Sequence, residues 1–399
     1  MLIQKIEEPQ VAVSDINAIA ARATGFLAQI REAMLAPFPR KIEPKFSSFR
    51  VQTLCGIEKR RFQYLIEKGE IPGGFQKGAG KSRIFRLDET IECVRNTCAS
   101  RLRPAGSRGR VITVANYKGG VAKTSTAVTL AQGLTLKGHK VLLLDLDPQG
   151  TATQLAGFAP DAEITENETA LPLLYGNEST PDYAIRPSYW HNLDVIPACA
   201  ALNEAEFDIP GRLLSDRHFA FWDILRKGIA PVLDRYDCVV IDTPPSLGMI
   251  TINALSATDG LIIPCPPRAL DFASTSQFWH NFSDYVNRIP GLHGKSFDFV
   301  KVLPTMSDNS DISQVVMGWL QKSYGGHLFP FVIPSSKVAS STTATLSTVY
   351  DISDDDDAFS REAIQRIREP YDALSKAVNE SLIAAWERDV KVAQPEIAA

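Results

Sequence analysis

The sequence predicts an α/β fold with a doubly wound, mostly parallel sheet, preceded by a small winged helix-turn-helix domain and an N-terminal helix. Three observations support this prediction. Continuously apolar, β-branched runs alternate with helical stretches over residues 111–390, which is typical of strands buried on both faces of a parallel sheet. A glycine-rich loop follows the first run. Residues 40–110 carry a net charge of +10, whereas the rest of the 399-residue chain carries −14, so one domain is expected to bind a polyanion.

The composition is that of an ordinary globular protein, with 44% hydrophobic and 22% charged residues. No apolar run reaches the roughly 18 residues that a membrane helix needs, and the N-terminus MLIQKIEEPQ lacks the layout of a signal peptide. The six cysteines are scattered without a CxxC pair, which favours reduced, packed thiols over a metal site. We therefore expect a cytoplasmic protein that has no membrane partner.

Residues 1–38 are predicted to form a separate N-terminal helix. Apolar residues from Val13 to Met34 recur at steps of three and four, the period of one helix face. The proline-rich stretch Pro37–Pro44 then breaks the pattern. The apolar stripe has to be covered either within its own domain or by a second subunit, and the sequence fits both.

Residues 39–105 are predicted to form the winged helix-turn-helix domain. Ser47 or Ser48 can cap a first helix. Gly56 allows a tight turn, and Gly69 ends the second helix. This outline is that of a motif that reads DNA. The exposed residues expected to contact operator bases are Lys59, Arg60, Arg61 and Gln63.

A glycine-rich turn and a short basic strand follow the second helix, and we interpret them as the wing. The turn spans residues 73–80, the strand spans residues 83–86, and Asp88 is expected to cap the next helix. A basic hairpin of this kind can lie along the phosphate backbone of DNA. The residues expected to contact phosphates there are Lys77, Lys81, Arg83 and Arg86.

Residues 106–399 are predicted to form the α/β domain, with its chemistry at the carboxyl ends of the strands. The acidic run 354–357 is interpreted as a solvated loop. The predicted strands are Val111–Ala115, Val141–Asp145, Leu193–Ile196, Cys238–Asp242, Gly260–Pro264, Phe299–Pro304 and Leu328–Ile333.

The first of these strands leads into a loop suited to holding phosphate groups. Its glycines let backbone N–H groups turn toward an anion, and the following helix N-terminus adds partial positive charge. Lys123 is expected to reach the β- and γ-phosphates, and the Thr124 hydroxyl to bind Mg²⁺. Ala122 stands where the general phosphate-loop pattern has glycine, and Lys118 is an additional lysine. The residues predicted to bind nucleotide here are Lys118, Gly119, Gly120, Val121, Ala122, Lys123, Thr124 and Ser125.

Two further strands end in carboxylates. One apolar strand leads into Asp145 and Asp147, and another leads into Asp242. Either of these strand ends alone could merely cap a following helix. The phosphate loop and both acidic strand ends in one fold, in this order, predict a nucleotide site at the carboxyl edge of the sheet.

These three segments resemble the deviant Walker A, A′ and B motifs of ParA-type DNA-partition ATPases. The matching residues are Lys118–Thr124, Asp145–Gly150 and Asp242–Pro245. The resemblance covers residues 111–390 and implies binding of ATP or ADP with Mg²⁺. The basic domain resembles that of the larger ParA proteins, which repress their own operons through a winged helix-turn-helix that is often preceded by a dimerising helix.

The resemblance also implies a role for each site residue. Lys118, as the signature lysine, would cross a homodimer and touch the phosphates bound by the partner. Asp147 would orient or activate the attacking water, so that Lys118, Lys123 and Asp147 form the catalytic set. Asp145 would support the Mg²⁺ shell, and Asp242 would hold Mg²⁺ through water.

Further positions follow from the same resemblance. Thr305 and Pro334 are suggested as adenine contacts, and residues 264–267 and 270–274 resemble the next interface segment of the family. Non-specific DNA contacts are expected from basic residues in the second half of the chain. The candidates are Arg288, Lys295, Lys337, Arg366 and Arg368.

A member of this family is expected to act as an ATP-dependent switch in plasmid or chromosome segregation. With ATP it would form a sandwich homodimer that coats DNA non-specifically in the bacterial nucleoid. A ParB-type centromere-binding partner would stimulate its slow hydrolysis and release it. The winged domain would bind the operator and repress the operon.

Four other interpretations compete with this one. A nucleotide-regulated repressor with little ATPase role is the main alternative, and the complete catalytic motifs argue against it. A membrane-oscillating MinD-like protein would need a basic amphipathic C-terminal helix, which the tail after Trp386 lacks. An iron-protein-like reductase would need clustered cysteines, and a metabolic amide ligase would leave the basic domain unexplained.

Overall fold

The computed structural model describes residues 11–35, 41–76, 83–216, 218–289, 292–308, 310–335, 346–354 and 360–393. The chain divides into two compact units, Met1–Ile42 and Glu43–Ala399. Helix α1 (Val13–Leu35) belongs to the first unit and confirms the predicted N-terminal helix. Ile16 and Ile19 on its apolar stripe are exposed, so both explanations for what covers the stripe stay open. The ends of the predicted helix, before residue 11 and after Leu35, lie outside the described residues.

The second unit begins with a small module of helices and short strands. Its elements are β1 (Phe46–Ser47), α2 (Ser48–Cys55), α3 (Lys59–Glu67), β2 (Phe75–Gln76), β3 (Arg83–Phe85) and α4 (Leu87–Thr97). Strand β3 pairs antiparallel with both β1 and β2. As predicted, the Ser47 hydroxyl accepts the Arg50 N–H at 3.3 Å and caps α2. Gly56 takes a left-handed conformation (φ 66°) in the turn before α3, so the predicted helix, turn and helix are present.

Asp88 was expected to cap the helix that follows the basic strand, and this prediction is wrong. Helix α4 begins at Leu87, so Asp88 lies inside its first turn. The Glu89 carboxylate instead accepts the Arg86 N–H at 2.8 Å. Acidic residues stabilise the first turn of a helix as well as its cap position, which explains why the sequence signal pointed to the right place and the wrong residue.

The α/β domain contains a seven-stranded sheet. Its strands are β4 (Arg110–Val114), β5 (Val141–Asp145), β6 (Arg186–Pro187), β7 (Leu193–Ile196), β8 (Cys238–Asp242), β9 (Gly260–Cys265) and β10 (Phe299–Pro304). The strand order is β10-β9-β4-β8-β5-β7-β6. Every neighbouring pair is parallel except β6 with β7. The predicted doubly wound, mostly parallel sheet is confirmed.

One predicted strand does not form. Leu328–Ile333 makes a parallel bridge at Leu328, with Val302, and the next residue, Pro334, makes another with Ser307. Pro330 lies inside this run and has no N–H to donate to a ladder. The apolar composition of the run therefore reflects burial of Phe329 and Ile333 rather than strand pairing.

Helices flank the sheet and connect its strands. They are α5 (Lys123–Thr135), α6 (Thr151–Leu155), α7 (Pro160–Glu163), α8 (Leu171–Leu174), α9 (Ala205–Ser215), α10 (Ile224–Ile229), α11 (Met249–Ala257), α12 (Ala269–Arg288), α13 (Asp311–Tyr324) and α14 (Arg361–Ala393). Among the described helices, none combines the length and the apolar character that crossing a bilayer requires. The six cysteines are free thiols.

The small module and the α/β domain share one hydrophobic core. Phe46 and Val94 of the module belong to the same buried cluster as Leu134 of α5. Arg50 also forms two hydrogen bonds, of 2.6 and 2.7 Å, with the Asp372 carboxylate of α14. The module is therefore fixed to the α/β domain, while the proposed domain boundaries at residues 38 and 105 stay predictions.

Candidate nucleotide-binding site

The sheet brings the three predicted motifs to one edge. Strand β8 lies between β4 and β5, and all three run parallel. In this register Asp242 is the direct neighbour of both Val114 and Asp145. The loops that follow the three strands therefore leave the sheet side by side, as the strand pattern predicts for a parallel sheet.

The phosphate loop has an unusual backbone. Gly120 and Ala122 both take left-handed conformations, with φ angles of 71° and 69°. This conformation suits glycine, whereas for an alanine it costs about 1–2 kcal/mol because Cβ approaches the following carbonyl. The alanine that departs from the general pattern thus keeps the backbone shape that glycine would allow. Helix α5 begins at the next residue, Lys123.

Lys123 lies inside the loop. Its side chain is buried, and its Nζ donates to the carbonyl oxygen of Lys118 at 3.0 Å. Burial lowers the pKa of Lys123, while the carboxylates of Asp242 and Asp147 act in the opposite direction. The ammonium group is thus held at the centre of the loop, close to two acidic side chains.

Asp145 is buried and fully engaged with the loop that follows its own strand. Its Oδ1 accepts the Asp147 N–H at 3.0 Å, and its Oδ2 accepts the N–H and the hydroxyl of Thr153 at 2.8 and 2.7 Å. Asp147, also buried, accepts the Gln149 N–H at 3.0 Å. In this conformation Asp145 organises the loop that carries Asp147, and its role at Mg²⁺ stays a prediction.

Asp242 has the opposite environment. It is completely buried, and neither of its carboxylate oxygens makes a well-formed hydrogen bond with a described residue, although the Thr124 hydroxyl lies close enough to affect its pKa. Burial raises its pKa well above the usual range, and the neighbouring Asp145 carboxylate adds to this. The Thr124 hydroxyl and the Lys123 ammonium act in the opposite direction. A buried carboxylate without partners is costly unless a cation compensates it.

These donors fit Mg²⁺ with a nucleotide. No three His, Cys, Asp or Glu side chains converge as a metal-binding group in the part of the chain that the structure describes. Mg²⁺ in nucleotide sites is usually held by one or two protein oxygens together with phosphates and water. The Asp242 carboxylate and the Thr124 hydroxyl at the start of α5 are oxygens of this kind.

Lys118 contacts helix α12. Its Nζ lies 2.9 Å from Oδ1 of Asp271, and its N–H donates to Oδ1 of Asn116 at 3.2 Å. The buried Asn116 amide donates in turn to the Pro264 carbonyl at 2.9 Å and to the Thr275 hydroxyl at 3.1 Å. The motifs did not assign these roles to Asn116, Asp271 or Thr153. In the sequence, the only signal for Asn116 is that it is a polar residue between the first strand and Lys118.

The suggested adenine contacts differ in their placement. Thr305 is completely buried, and its hydroxyl donates to the Val121 carbonyl at 3.0 Å. The hydroxyl therefore stabilises the phosphate loop. Because the side chain has no exposed surface that an adenine ring could contact, its predicted role is corrected in this conformation. Pro334 is exposed beside Ser307, and its predicted role stays a prediction.

The predicted base contacts lie on the open face of α3. Phe62 and Leu65 point into the core, and the exposed residues of the helix include Lys59, Arg60, Arg61 and Gln63. Tyr64 was missed by the sequence reasoning. It is 45% exposed, and its ring lies between the cations of Arg61 (5.4 Å) and Lys68 (5.8 Å). An exposed aromatic ring among cations is a further candidate for contact with a base.

The candidate phosphate contacts are only partly accessible. Arg83 is half-buried and donates to the Gly73 carbonyl at 2.6 Å, whereas Arg86 is exposed beside Asp88 and Glu89. Lys77 and Lys81 lie outside the described residues, as does Lys337.

Two of the non-specific DNA candidates are engaged inside the domain. Arg368 is buried and paired with Asp354 at 2.5 Å, so its predicted DNA contact is corrected. Lys295 donates to the Ser256 carbonyl.

A parallel sheet with a phosphate loop after a central strand, and carboxylates after the next two strands on one side of it, defines a P-loop nucleotide-binding protein. A family model described as an AAA domain matches residues 109–290. The chain is 37% identical to the protein SopA of Escherichia coli (strain K12) over 288 residues, which cover 70% of this chain and 73% of SopA. The chain belongs to the ParA-type partition ATPase family.

Two further comparisons agree with this assignment. The chromosome partitioning protein ParA of Myxococcus xanthus is 33% identical over 227 residues, 57% of this chain and 75% of that protein. A solved partition protein superposes with a TM-score of 0.61 and 20% identity over 94% of this chain and 98% of its own. At that identity the structural match shows the fold alone.

Proposed function

We propose that this chain is an Mg²⁺-dependent ATPase that works as a DNA-partition switch and also represses its own operon. The observation that carries the proposal is the fully buried Asp242 carboxyl beside Lys123 and Thr124, whose pKa burial raises well above its usual range. Lys123 and Thr124 offset the cost of ionising this carboxyl only in part, and a cation bound with the phosphates would offset the rest. A related fold, that of a McdA variant from Cyanothece, has been solved as an ATP complex and superposes at a TM-score of 0.56.

Different residues of the site would bind the phosphates and the metal ion. Lys123 and the loop N–H groups would hold the β- and γ-phosphates, and the Thr124 hydroxyl and Asp242 would hold Mg²⁺. When bound, Mg²⁺ would neutralise charge that develops on the phosphate oxygens. Thr305 keeps the loop in shape through the Val121 carbonyl. Most of the catalysis would come from this positioning and charge stabilisation.

Two residues would act on the reaction itself. Asp147 lies on the loop that Asp145 and Thr153 hold in place, and it would orient the attacking water or accept its proton. Lys118 would place its ammonium on the phosphates bound by a second copy of the chain, as an arginine finger does. The ATP-bound state would then be a homodimer, and hydrolysis would release the two copies.

The DNA-binding activities would belong to different surfaces. Helix α3, with Arg60, Arg61 and Gln63 exposed, would read an operator in the major groove. Exposed cations of the α/β domain, such as Arg288 and Arg366, would contact DNA without sequence preference in the ATP state. A ParB-type centromere-binding partner would stimulate hydrolysis.

The DNA test uses fluorescence anisotropy with two duplexes, a fragment of the chain's own promoter and a random sequence of equal length. Each is titrated at several salt concentrations with ADP or with ATP. Arg61→Ala is expected to weaken promoter binding with ADP and to reduce the preference for the promoter over the random duplex. The matched control is Lys322→Ala, which replaces an exposed lysine of α13.

Three results decide between the interpretations. Selective loss of promoter binding in Arg61→Ala, with ATP-dependent binding to random DNA retained, supports two surfaces. Equal binding of both duplexes by wild type and variant contradicts an operator-reading α3. Promoter binding that depends on nucleotide, without any turnover of ATP, supports the alternative of a nucleotide-regulated repressor.

A further inference from the structure

In this structure, both the backbone and the side chain of Lys118 make polar contacts within its own chain. Its Nζ lies 2.9 Å from Oδ1 of Asp271, its carbonyl accepts Lys123 Nζ at 3.0 Å, and its N–H donates to Asn116 at 3.2 Å. The Asp271 side chain is only 7% exposed, whereas that of Lys118 is 34% exposed. The carboxylate is thus fixed in the protein, while the lysine can leave it toward solvent.

Helix α12 positions this carboxylate by two contacts with the phosphate loop. Asp271 lies in the first turn of the helix, where the helix dipole favours a negative charge. One turn later, the buried Thr275 accepts the Asn116 amide at 3.1 Å. Residues 271 and 275 are four apart and so face the same side of the helix. The start of α12 is therefore in contact with the loop both at Lys118 and at Asn116.

We propose that Asp271 is a positioning residue that keeps the Lys118 ammonium on its own chain until nucleotide-driven pairing of two copies draws it away. This inference rests on the proposed function, because it takes Lys118 to act on phosphates bound by the second copy. Among the residues that the structure describes, the ammonium has one ion-pair partner in the lone chain, Asp271, and across the pair it would have a stronger one, the phosphates. Self-association then includes the loss of one ion pair in each copy.

The expected size of the effect follows from the exposure of the pair. A partly exposed ion pair changes an equilibrium by a factor of up to about five. Since two such pairs open when one dimer forms, removing the Asp271 charge should tighten nucleotide-dependent self-association by up to about 25-fold. A merely structural role predicts the opposite sign, because a damaged α12 would weaken association and lower the melting temperature.

The test is sedimentation velocity of the full chain with Mg²⁺ and a non-hydrolysable ATP analogue. Asp271→Asn is expected to lower the dissociation constant of the dimer, and Asp271→Glu, which keeps the charge, is expected to stay near wild type. Asp182→Asn is the matched control, since Asp182 pairs with Arg235 near the amino-terminal edge of the sheet. Asp271→Ser is measured as well, so that the result does not depend on the folding of one variant.

A double variant separates this inference from the proposed function. If Asp271→Asn and Asp271→Ser leave association unchanged or weaken it at an unchanged melting temperature, the positioning role is overturned. If Asp271→Asn tightens association equally in a Lys118→Ala background, Asp271 does not act through Lys118 and the inference is also overturned. Equal association of wild type and Lys118→Ala would instead refute the transfer of Lys118 between copies in the proposed function.

Discussion

Replacing Ala122 by glycine should stabilise the protein. Ala122 has φ 69° and ψ 32° immediately before α5, a backbone conformation in which glycine is not strained. The phosphate loop is not otherwise changed by the loss of one methyl group. The same substitution inside an ordinary helix should have the opposite effect, and the chain offers a matched site at Ala384, an exposed residue of α14.

The two substitutions are expected to change the free energy of unfolding in opposite directions, because only Ala122 has a strained backbone conformation. At Ala122 glycine removes about 1–2 kcal/mol of left-handed strain, and it adds about 0.4–1 kcal/mol of unfolded-state entropy. The net result is a stabilisation of roughly 0.5–1 kcal/mol. At Ala384 there is no strain to remove, so glycine costs about 1 kcal/mol.

Calorimetry of the chain without nucleotide measures both effects. For a unit of the length of Glu43–Ala399, 1 kcal/mol corresponds to a shift of roughly 1.3 °C, so Ala122→Gly should raise the melting temperature by about 1 °C and Ala384→Gly should lower it by about as much. A melting temperature that falls equally in both variants would show that Ala122 does not hold a left-handed conformation, and would refute the explanation given for the departure from the general loop pattern.

Three further predictions concern buried polar groups. Asp242→Asn should melt at a higher temperature than wild type without ligand, because it removes the cost of burying an acid whose pKa burial raises well above its usual range, and it should hydrolyse no ATP; a lower melting temperature contradicts this account. Thr305→Val should raise the dissociation constant for nucleotide by up to about tenfold in calorimetric titration, since the Val121 carbonyl loses its donor; unchanged affinity would mean that the hydroxyl does not shape the loop. Burial lowers the pKa of Lys295 to about 8, so the folded chain binds this proton less tightly than the unfolded chain, and stability rises with pH between about 8 and the usual lysine value. The melting temperature of Lys295→Met should therefore exceed that of wild type by less at pH 9.5 than at pH 7, and a constant gap would contradict the shift.

Local pattern was sufficient for most of the sheet. Val141–Asp145 and Cys238–Asp242 match their observed strands residue for residue, because both are short apolar runs bounded by polar residues. Leu328–Ile333 has the same apolar character but contains Pro330, which has no N–H to donate to a neighbouring strand, and isolated bridges form there instead of a strand. Composition alone does not distinguish a buried strand from a buried irregular segment.

The supporting residues of the site depend on contacts that no local pattern contains. Asp271 is more than a hundred residues from Lys118 in sequence and reaches it only because β9 and β4 are neighbours in the sheet. Thr305 was suggested as an adenine contact, but its hydroxyl donates to the backbone of the phosphate loop. The side-chain direction follows from the packing of β10 against β9, which the sequence does not specify.

The central claim is that Lys118 and Lys123 together make this chain an ATPase. The most direct test measures phosphate release from ATP with and without duplex DNA for wild type, Lys123→Gln, Lys118→Ala and the control Lys322→Ala. The account predicts slow turnover that rises with DNA in wild type and control and is lost in the other two. Wild-type turnover in Lys118→Ala would contradict it, since the additional lysine would then take no part in the reaction.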